Sequence, residues 1–436
     1  MGEVPLEPPH RRRRTPTPAW LVAALSLLVG GAFAEESPLT LEQALDKALA
    51  RNPGLAEIRA RAAAMKAIPP QAGALPDPTL SFDLLNVPVR SFDLRREDMT
   101  MMEVGISQTL PFPGKRALQA RAAQQEALAA ADSVDEARLR LAREVKAAWW
   151  NLFYLDRALA ITRDSEKLLL EMVETAQSRY RVGRGEQAEV LMAQLELSKL
   201  KDERLEWIGM RHGQTAQFNV LTDRAPEQPV VLPAEAKVVL PVLVESQLQE
   251  KAGRLSPRFA RRRNMLEAAK ARVDLAEQDY YPDFTVGAGY GVRQNSPAGD
   301  SRSDFASFRL SMNLPLYADR KQAMAVDQRR SELLQEQYSF QDEHHRTQAE
   351  IAAKTAEYDH IKDRMRLLEQ EIVPQARLIA ESLLARYRVG RTAFSDLLRA
   401  ELGLFRYQTQ YWQFLAQTQQ LLAELTALVG EEVAPD

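Results

Sequence analysis

The chain is written twice. Arg179-Tyr180-Arg181-Val182-Gly183-Arg184 returns as Arg386-Tyr387-Arg388-Val389-Gly390-Arg391, 207 positions later. The match continues through Leu191/Leu398, Ala193/Ala400, Leu195/Leu402 and Leu197/Leu404. Upstream, Leu110-Pro111 and Arg116 recur as Leu314-Pro315 and Arg320 at an offset of 204. Pro76-Asp77-x-Thr79 recurs as Pro282-Asp283-x-Thr285 at an offset of 206. Three pairs at nearly one spacing define a duplicated unit of about 200 residues, too long for a solenoid repeat. Two similar halves can occupy equivalent places in a ring.

Each half reads in one order: helix, strand, strand, very long helix, shorter helix. Thr40 opens a helix at Leu41-Glu42-Gln43-Ala44 with a capping-box pattern. Pro53 to about Ala72 is alanine-rich and reads as one helix, stopped by Pro76 and Pro78. The period then changes to two. Leu80, Phe82 and Leu84 alternate with Ser81 and Asp83 in 79–87; Met102, Val104, Ile106 and Leu110 alternate with polar residues and Gly105 in 101–110. The second half repeats this with Phe284, Val286, Ala288, Tyr290 and Val292, then with Phe308, Leu310, Met312 and Leu314. Alternation over about ten residues suits a membrane β-strand with one face to lipid and one to a wet lumen. Taken alone, the four strands favour the half-buried strand of a soluble sandwich.

The helices that follow weigh against the sandwich. Gly114 to Arg181 spans 68 residues with no Pro or Gly between its ends. Leu141, Val145, Ala148, Leu152, Leu155 and Leu159 are spaced by fours and threes, a coiled-coil seam. Such a helix is roughly 100 Å long at 1.5 Å per residue. Ala318 to Arg388 is its counterpart, with Pro374 near the end. Both run into Tyr-Arg-Val-Gly-Arg, where Gly183 and Gly390 suit a tight turn at a helix end. Shorter helices return over 186–221 and 393–429. The expected organisation is a signal peptide over 1–34, a first repeat over 35–222, a linker over 223–243, a second repeat over 244–430 and a tail over 431–436.

The signal peptide rests on Arg11 to Arg14, the short apolar run Trp20 to Val29, and Ala32-Phe33-Ala34 before Glu35. The run is too short to be a spanning anchor. Its removal takes four Arg and two Glu from 57 basic and 60 acidic residues, leaving a net charge of −5. No basic footprint for nucleic acid remains. Cysteine is absent, which excludes disulfides and thiolate metal sites.

Two strands per half give four per chain, too few to close a barrel, and an open sheet edge cannot sit in lipid. Small closed barrels begin at eight strands. Strands in a membrane therefore require several chains to share one barrel. At this point the chain resembles the TolC-type outer-membrane efflux family over nearly its whole mature length. The exported N-terminus, the duplicated helix-strand-strand-helix-helix unit, and the turn Tyr-x-Val-Gly before an acidic residue and a leucine-rich helix carry the resemblance. Gly73-Ala74-Leu75-Pro76-Asp77-Pro78 and Gln108-x-Leu110-Pro111-Phe112-Pro113-Gly114-Lys115-Arg116 resemble its heavy-metal branch, the copper/silver and cobalt/zinc/cadmium systems.

The resemblance implies a mainly α fold with a small transmembrane β part: a homotrimer sharing a 12-stranded β-barrel in outer-membrane lipid, above a long coiled-coil α-barrel reaching into the periplasm. It implies a passive exit duct of a tripartite efflux system, working with a periplasmic adaptor (membrane fusion) protein and an inner-membrane transporter of the RND type. Heavy-metal cations are one cargo; drug efflux and type I secretion are others within the class. No cofactor and no enzymatic activity are expected. Val182, Gly183 and Arg184, with Val389, Gly390 and Arg391, take the place where the family docks its adaptor. Asp396 takes the place of an acidic residue lining the closed entrance, where three copies would form a ring favouring cations. Glu189 is its counterpart in the first half. Arg399 stands where the family often has a second acidic residue, and a salt bridge there would hold the entrance shut.

Simpler readings accompany these. Any helical hairpin needs a turn, and an acid near a helix N-terminus is favoured by the dipole alone. Pro111, Pro113 and Pro315 end ladder pairing where strands hand over to helices. Phe82, Phe284, Tyr290, Phe305 and Phe308 suit a lipid-facing surface or interfacial belts. Gly287-x-Gly289-x-Gly291 lies within a strand and opens no helix, which excludes a dinucleotide loop, and Gly114-Lys115-Arg116 lacks the first glycine of a P-loop. His344 and His345 are helix neighbours that do not share a face. Met99, Met101 and Met102 are soft thioethers, more often surface filler than Cu(I) ligands. The reading from another class is a soluble periplasmic coiled-coil adaptor or scaffold, which needs no symmetric set of four alternating strands.

Overall fold

The computed structural model describes residues 38–433; the signal peptide expected over 1–34 and the end of the C-terminal tail lie outside the described residues. The first repeat comprises α1 (Leu41–Arg51), α2 (Pro53–Lys66), α3 (Ile68–Ala72), β1 (Thr79–Leu85), β2 (Met101–Leu110), α4 (Lys115–Arg181) and α5 (Gln187–Leu221). The second comprises α6 (Glu245–Leu255), α7 (Pro257–Gln278), β3 (Phe284–Val292), β4 (Phe305–Met312), α8 (Gln322–Leu367), a π-helical turn (Leu368–Ile372), α9 (Val373–Arg388) and α10 (Phe394–Val429).

Local chemistry accounts for most boundaries. Thr40 and Gln43 form the capping box at α1, each side chain accepting from the other's backbone N–H. Three expected boundaries are corrected. The helix expected from Pro53 to Ala72 breaks at Ala67, because Pro69 and Pro70 bring no N–H to the ladder and restrict the residues before them. The strand expected over 79–87 ends at Leu85, since Asn86 takes a left-handed φ of 56°. The helix expected from Ala318 to Arg388 begins at Gln322 and is interrupted. Pro374 has no N–H, and the wide π turn just before it absorbs the missing bond, with Val373 N–H reaching back to Leu368.

The coiled-coil seam lies inward. Leu141, Val145, Ala148, Leu152, Leu155 and Leu159 of α4 are all buried, and α4 packs on α5, α7 and α10. The centre of this core is aromatic. Trp149 and Phe153 stack with ring centroids 5.4 Å apart, Trp150 and Trp412 meet Phe153 edge-on, and Trp149 Nε1 donates to Leu39 C=O at 3.1 Å. The segment between the repeats has no helix or strand up to Glu245, yet it is no free linker. Val231 C=O accepts from Leu39 N–H (2.8 Å), Val239 C=O from Gln419 Nε2 (3.0 Å) and Pro241 C=O from the Tyr358 hydroxyl (3.0 Å). It is a strap across both repeats.

Among the described residues four strands form one antiparallel sheet in the order β1-β2-β3-β4, with β1 and β4 as unpaired edges. Its two faces differ. Leu80, Phe82, Leu84, Val104, Ile106, Tyr290, Phe308 and Leu310 share one face and are exposed, Phe82 at 75% and Phe308 at 87%. The other face carries Ser81, Asp83, Glu103, Gly105, Ser107, Thr285, the glycines 287, 289 and 291, Ser307 and Arg309. Phe305 pairs with Gly291 and falls on this polar face, contrary to its grouping with Phe308: the two are three positions apart, and strand parity separates them. There the Arg293 guanidinium covers its ring at 4.0 Å.

The glycines thin the polar face for a specific neighbour. Glu103 is buried there, reaching over β3 so that Ser307 Oγ donates to Glu103 Oε1 at 2.9 Å; a Cβ on Gly289 would collide with that carboxylate.

The turn from β2 into α4 is stapled to the second repeat. Phe112 N–H donates to Asp283 Oδ1 at 2.8 Å, and its ring stacks on Tyr281 with centroids 4.5 Å apart. Lys115 Nζ, buried, sits 3.0 Å from Asp283 Oδ1, 3.0 Å from Tyr281 C=O and 3.2 Å from Asp279. Arg116 donates twice to Gly73 C=O, at 2.9 and 2.7 Å. The proline-rich motifs therefore hold a strand-to-helix corner.

Candidate functional site at the hairpin tips

Helices α4 and α5, and α9 and α10, form two hairpins whose turns are the repeated Val-Gly-Arg triplets. The turns are built alike. Gly183 has φ 72° and Gly390 φ 75°. Gly183 N–H donates to Tyr180 C=O at 3.0 Å and Arg184 N–H to Arg179 C=O at 2.8 Å; Gly390 and Arg391 make the same bonds to Tyr387 and Arg386, both at 2.9 Å. This is the Schellman pattern, which satisfies the last carbonyls of a helix through one left-handed residue. A Cβ on either glycine meets nothing within 4 Å, so backbone conformation alone demands glycine. Val182, Gly183, Arg184, Val389, Gly390 and Arg391 are all exposed.

Behind the turns the two hairpins meet asymmetrically. Tyr387 is buried, and its counterpart Tyr180 is 48% exposed. The Arg179 guanidinium lies 4.6 Å from the Tyr387 ring, donating to Tyr387 C=O at 3.1 Å and to Arg184 C=O at 3.3 Å. Phe394 closes on Tyr387 edge-on, in a cluster with Leu169, Met172, Leu197, Leu397 and Phe405. Burial, then the charge of Glu189, pushes the Tyr387 hydroxyl above the usual tyrosine range. Glu189 Oε2 is buried with no hydrogen-bond partner among the described residues. Glu189 therefore lies at the seam between the hairpins.

Asp396 differs. It stands exposed in the first turn of α10, and Arg399 is exposed one turn on. The two form no ion pair with each other within the chain. The Arg179–Tyr387 contact was carried in sequence only by the repetition of Arg-Tyr, which does not say which copy is buried.

A cavity of about 470 Å³ opens further up the second hairpin, lined by Ile161, Leu404, Phe405, Trp412, Glu369 and Glu401 among others. Burial, then the charge of Glu381, raises the Glu401 carboxyl above the usual range. Tyr411 donates to Glu369 at 3.2 Å, and burial together with Glu369 pushes its hydroxyl to about 12.

No group of three or more His, Asp or Glu side chains is arranged for a metal among the described residues. Met102 lies on the exposed apolar face of β2, while Met101 sits against Gly291 on the polar side. His344 packs against Phe259, 5.6 Å between rings. No described helix is long and apolar enough to cross a membrane, which says nothing of a β-barrel.

The chain belongs to the outer membrane efflux protein family, whose model matches residues 44–219 and 248–431, once on each repeat. It is thus a channel component of outer-membrane efflux and not an adaptor or scaffold. No curated sequence matches it. Among solved structures, the outer membrane protein VceC of Vibrio cholerae is 20% identical, with a TM-score of 0.77 over 90% of this chain and 96% of that one. CusC is 15% identical, with a TM-score of 0.74 over 90% and 92%. The MtrE channel of Neisseria gonorrhoeae, in an open state, is 17% identical, with a TM-score of 0.75 over 91% and 90%. These likenesses establish a shared fold.

Proposed function

We propose that three copies of this chain form one exit duct, with a shared β-barrel in the outer membrane and helical hairpins descending into the periplasm. The observation that carries this reading is the sheet: four strands, two unpaired edges and one exposed apolar face. Neither an open edge nor four strands alone is stable in lipid, whereas twelve strands from three copies close.

The tips Val182-Gly183-Arg184 and Val389-Gly390-Arg391 are read as the adaptor-docking surface, since they are exposed, repeated and alike in backbone. Asp396, Arg399 and Glu189 are read as the entrance gate. Asp396 of three copies would face a narrow opening, and Arg399, which makes no ion pair among the described residues, would pair across copies. Adaptor docking would then shift the second hairpin relative to the first and widen the entrance. An RND-type transporter in the inner membrane would supply the energy.

Heavy-metal cations are the cargo implied by the branch resemblance. The motif residues Phe112, Lys115 and Arg116 hold a corner of the fold, so they support kinship more than cargo chemistry. The test is the mass and membrane location of the purified protein in detergent, followed by metal and drug sensitivity of cells lacking it. A trimer from the outer membrane and selective metal sensitivity support the full reading. A soluble monomer overturns the duct; drug sensitivity alone overturns the cargo.

A further inference from the structure

The repeat offsets read from sequence make a geometric statement about the sheet. Shifting β1 by 206 and β2 by 204 carries Thr79 and Ser107 onto Thr285 and Ser311. Thr79 pairs with Ser107 in β1–β2, and Thr285 pairs with Ser311 in β3–β4. The two hairpins thus have one register, and the mapping holds in three dimensions.

The same mapping applies to the junction between repeats. Strand β2 pairs with β3 inside the chain, with Gly105 opposite Gly289. Its equivalent joins β4 to the β1 of another copy. We infer that β4 pairs antiparallel with β1 of a second copy in the register that sets Arg309 opposite the partner's Asp83. The inference rests on the shared-barrel reading and goes beyond it by naming the seam.

Three features of the chain agree with this register. Chemistry is the first. Arg309 and Asp83 lie on the polar face, and neither makes a side-chain hydrogen bond or ion pair within the described chain. Asp83 has Glu103 directly opposite on β2, a like-charge pair that costs stability unless a cation joins it. Glu103 is already engaged by Ser307, so the vacant side of Asp83 is the edge where the partner's Arg309 would arrive.

Apolar matching is the second feature. The register sets Met312, Leu310 and Phe308 opposite the partner's Leu80, Phe82 and Leu84, and all six are exposed in the single chain. Exclusivity is the third. A slip of one residue turns the apolar row to the wet face. A slip of two sets Arg309 against the partner's Ser81 or Leu85 and leaves both charges unpaired.

The chain has no cysteine, so paired cysteines report without background. Full-length protein carrying Asp83→Cys and Arg309→Cys, oxidised in outer-membrane vesicles, should give covalent dimer and trimer on a denaturing gel. Asp83→Cys with Phe305→Cys, on the same face but four residues out of register, should cross-link ~tenfold more slowly, because a disulfide tolerates only a narrow Cα separation. Asp83→Arg and Arg309→Asp should each lower the temperature at which the oligomer falls apart in detergent, and the double swap should restore it. Equal or faster cross-linking of the out-of-register pair, or a swap that restores nothing, overturns the register. The parent's mass in detergent separates the two readings: a trimer without the 83/309 cross-link sinks this seam alone, and a monomer sinks the duct as well.

Discussion

Tyr180 and Tyr387 occupy the same place in the same six-residue motif, yet one is half exposed and the other buried beneath Arg179 and Phe394. Identical local sequence makes identical turns and different surroundings. At Gly390 the left-handed φ stands in open space. Gly390→Ala should therefore cost about 1 kcal/mol, the backbone penalty alone, and Gly183→Ala the same. Thermal unfolding checks the equality; a much larger loss at either site would reveal a contact not made within one chain. Glu401 carries a pH prediction. Its carboxyl is raised in the folded protein, so the folded state holds an extra proton between the ordinary value and the raised one. Stability is lost as pH climbs through that window. Glu401→Gln should flatten the decline that sets in as pH rises above the ordinary glutamate value, about pH 4. A variant whose melting still tracks the parent at every pH would assign the dependence elsewhere, with Glu203, also raised by burial, next in line.

At the scale of elements, the fours-and-threes spacing of α4 was legible because burial on a long helix follows periodicity, and Leu141 through Leu159 all turned inward. Leu152→Ala removes a fully buried side chain from this seam and should cost about 2–5 kcal/mol, read from the shift in thermal unfolding. The interruption of the second long helix was half legible. Pro374 announced a fault, but a kink, a break and a π turn all follow from a missing N–H. Packing around the buried Leu368 goes with the π turn. Pro374→Ala supplies the donor, so amide exchange through 368–374 should slow if proline maintains the turn. Unchanged exchange would mean that packing holds it. The strap over 223–244 was the least legible element. Its Pro and Val content reads as a linker, and its hydrogen bonds run to residues far away in the chain, Leu39, Tyr358 and Gln419.

At the scale of the whole molecule, the proposed gate makes a direct prediction. Asp396→Cys, bridged between copies by a thiol cross-linker, should abolish export, and reduction should restore it. Export that continues with the bridge in place would remove Asp396 from the entrance. The sequence by itself determined the duplication, the alternating strands, the inward seam of α4 and the glycine turns. Each follows from short-range causes: side-chain parity along a strand, periodicity along a helix, and a left-handed φ that only glycine adopts cheaply. Only the tertiary structure decided which tyrosine of the pair is buried, that Asp283 clasps Lys115 across the repeats, that Phe305 lies opposite Phe308, and that Glu103 fills the glycine lane. Those are choices among partners distant in sequence, set by how the two repeats pack, and no local pattern encodes which of two equivalent side chains meets its neighbour inside the chain and which is left facing out.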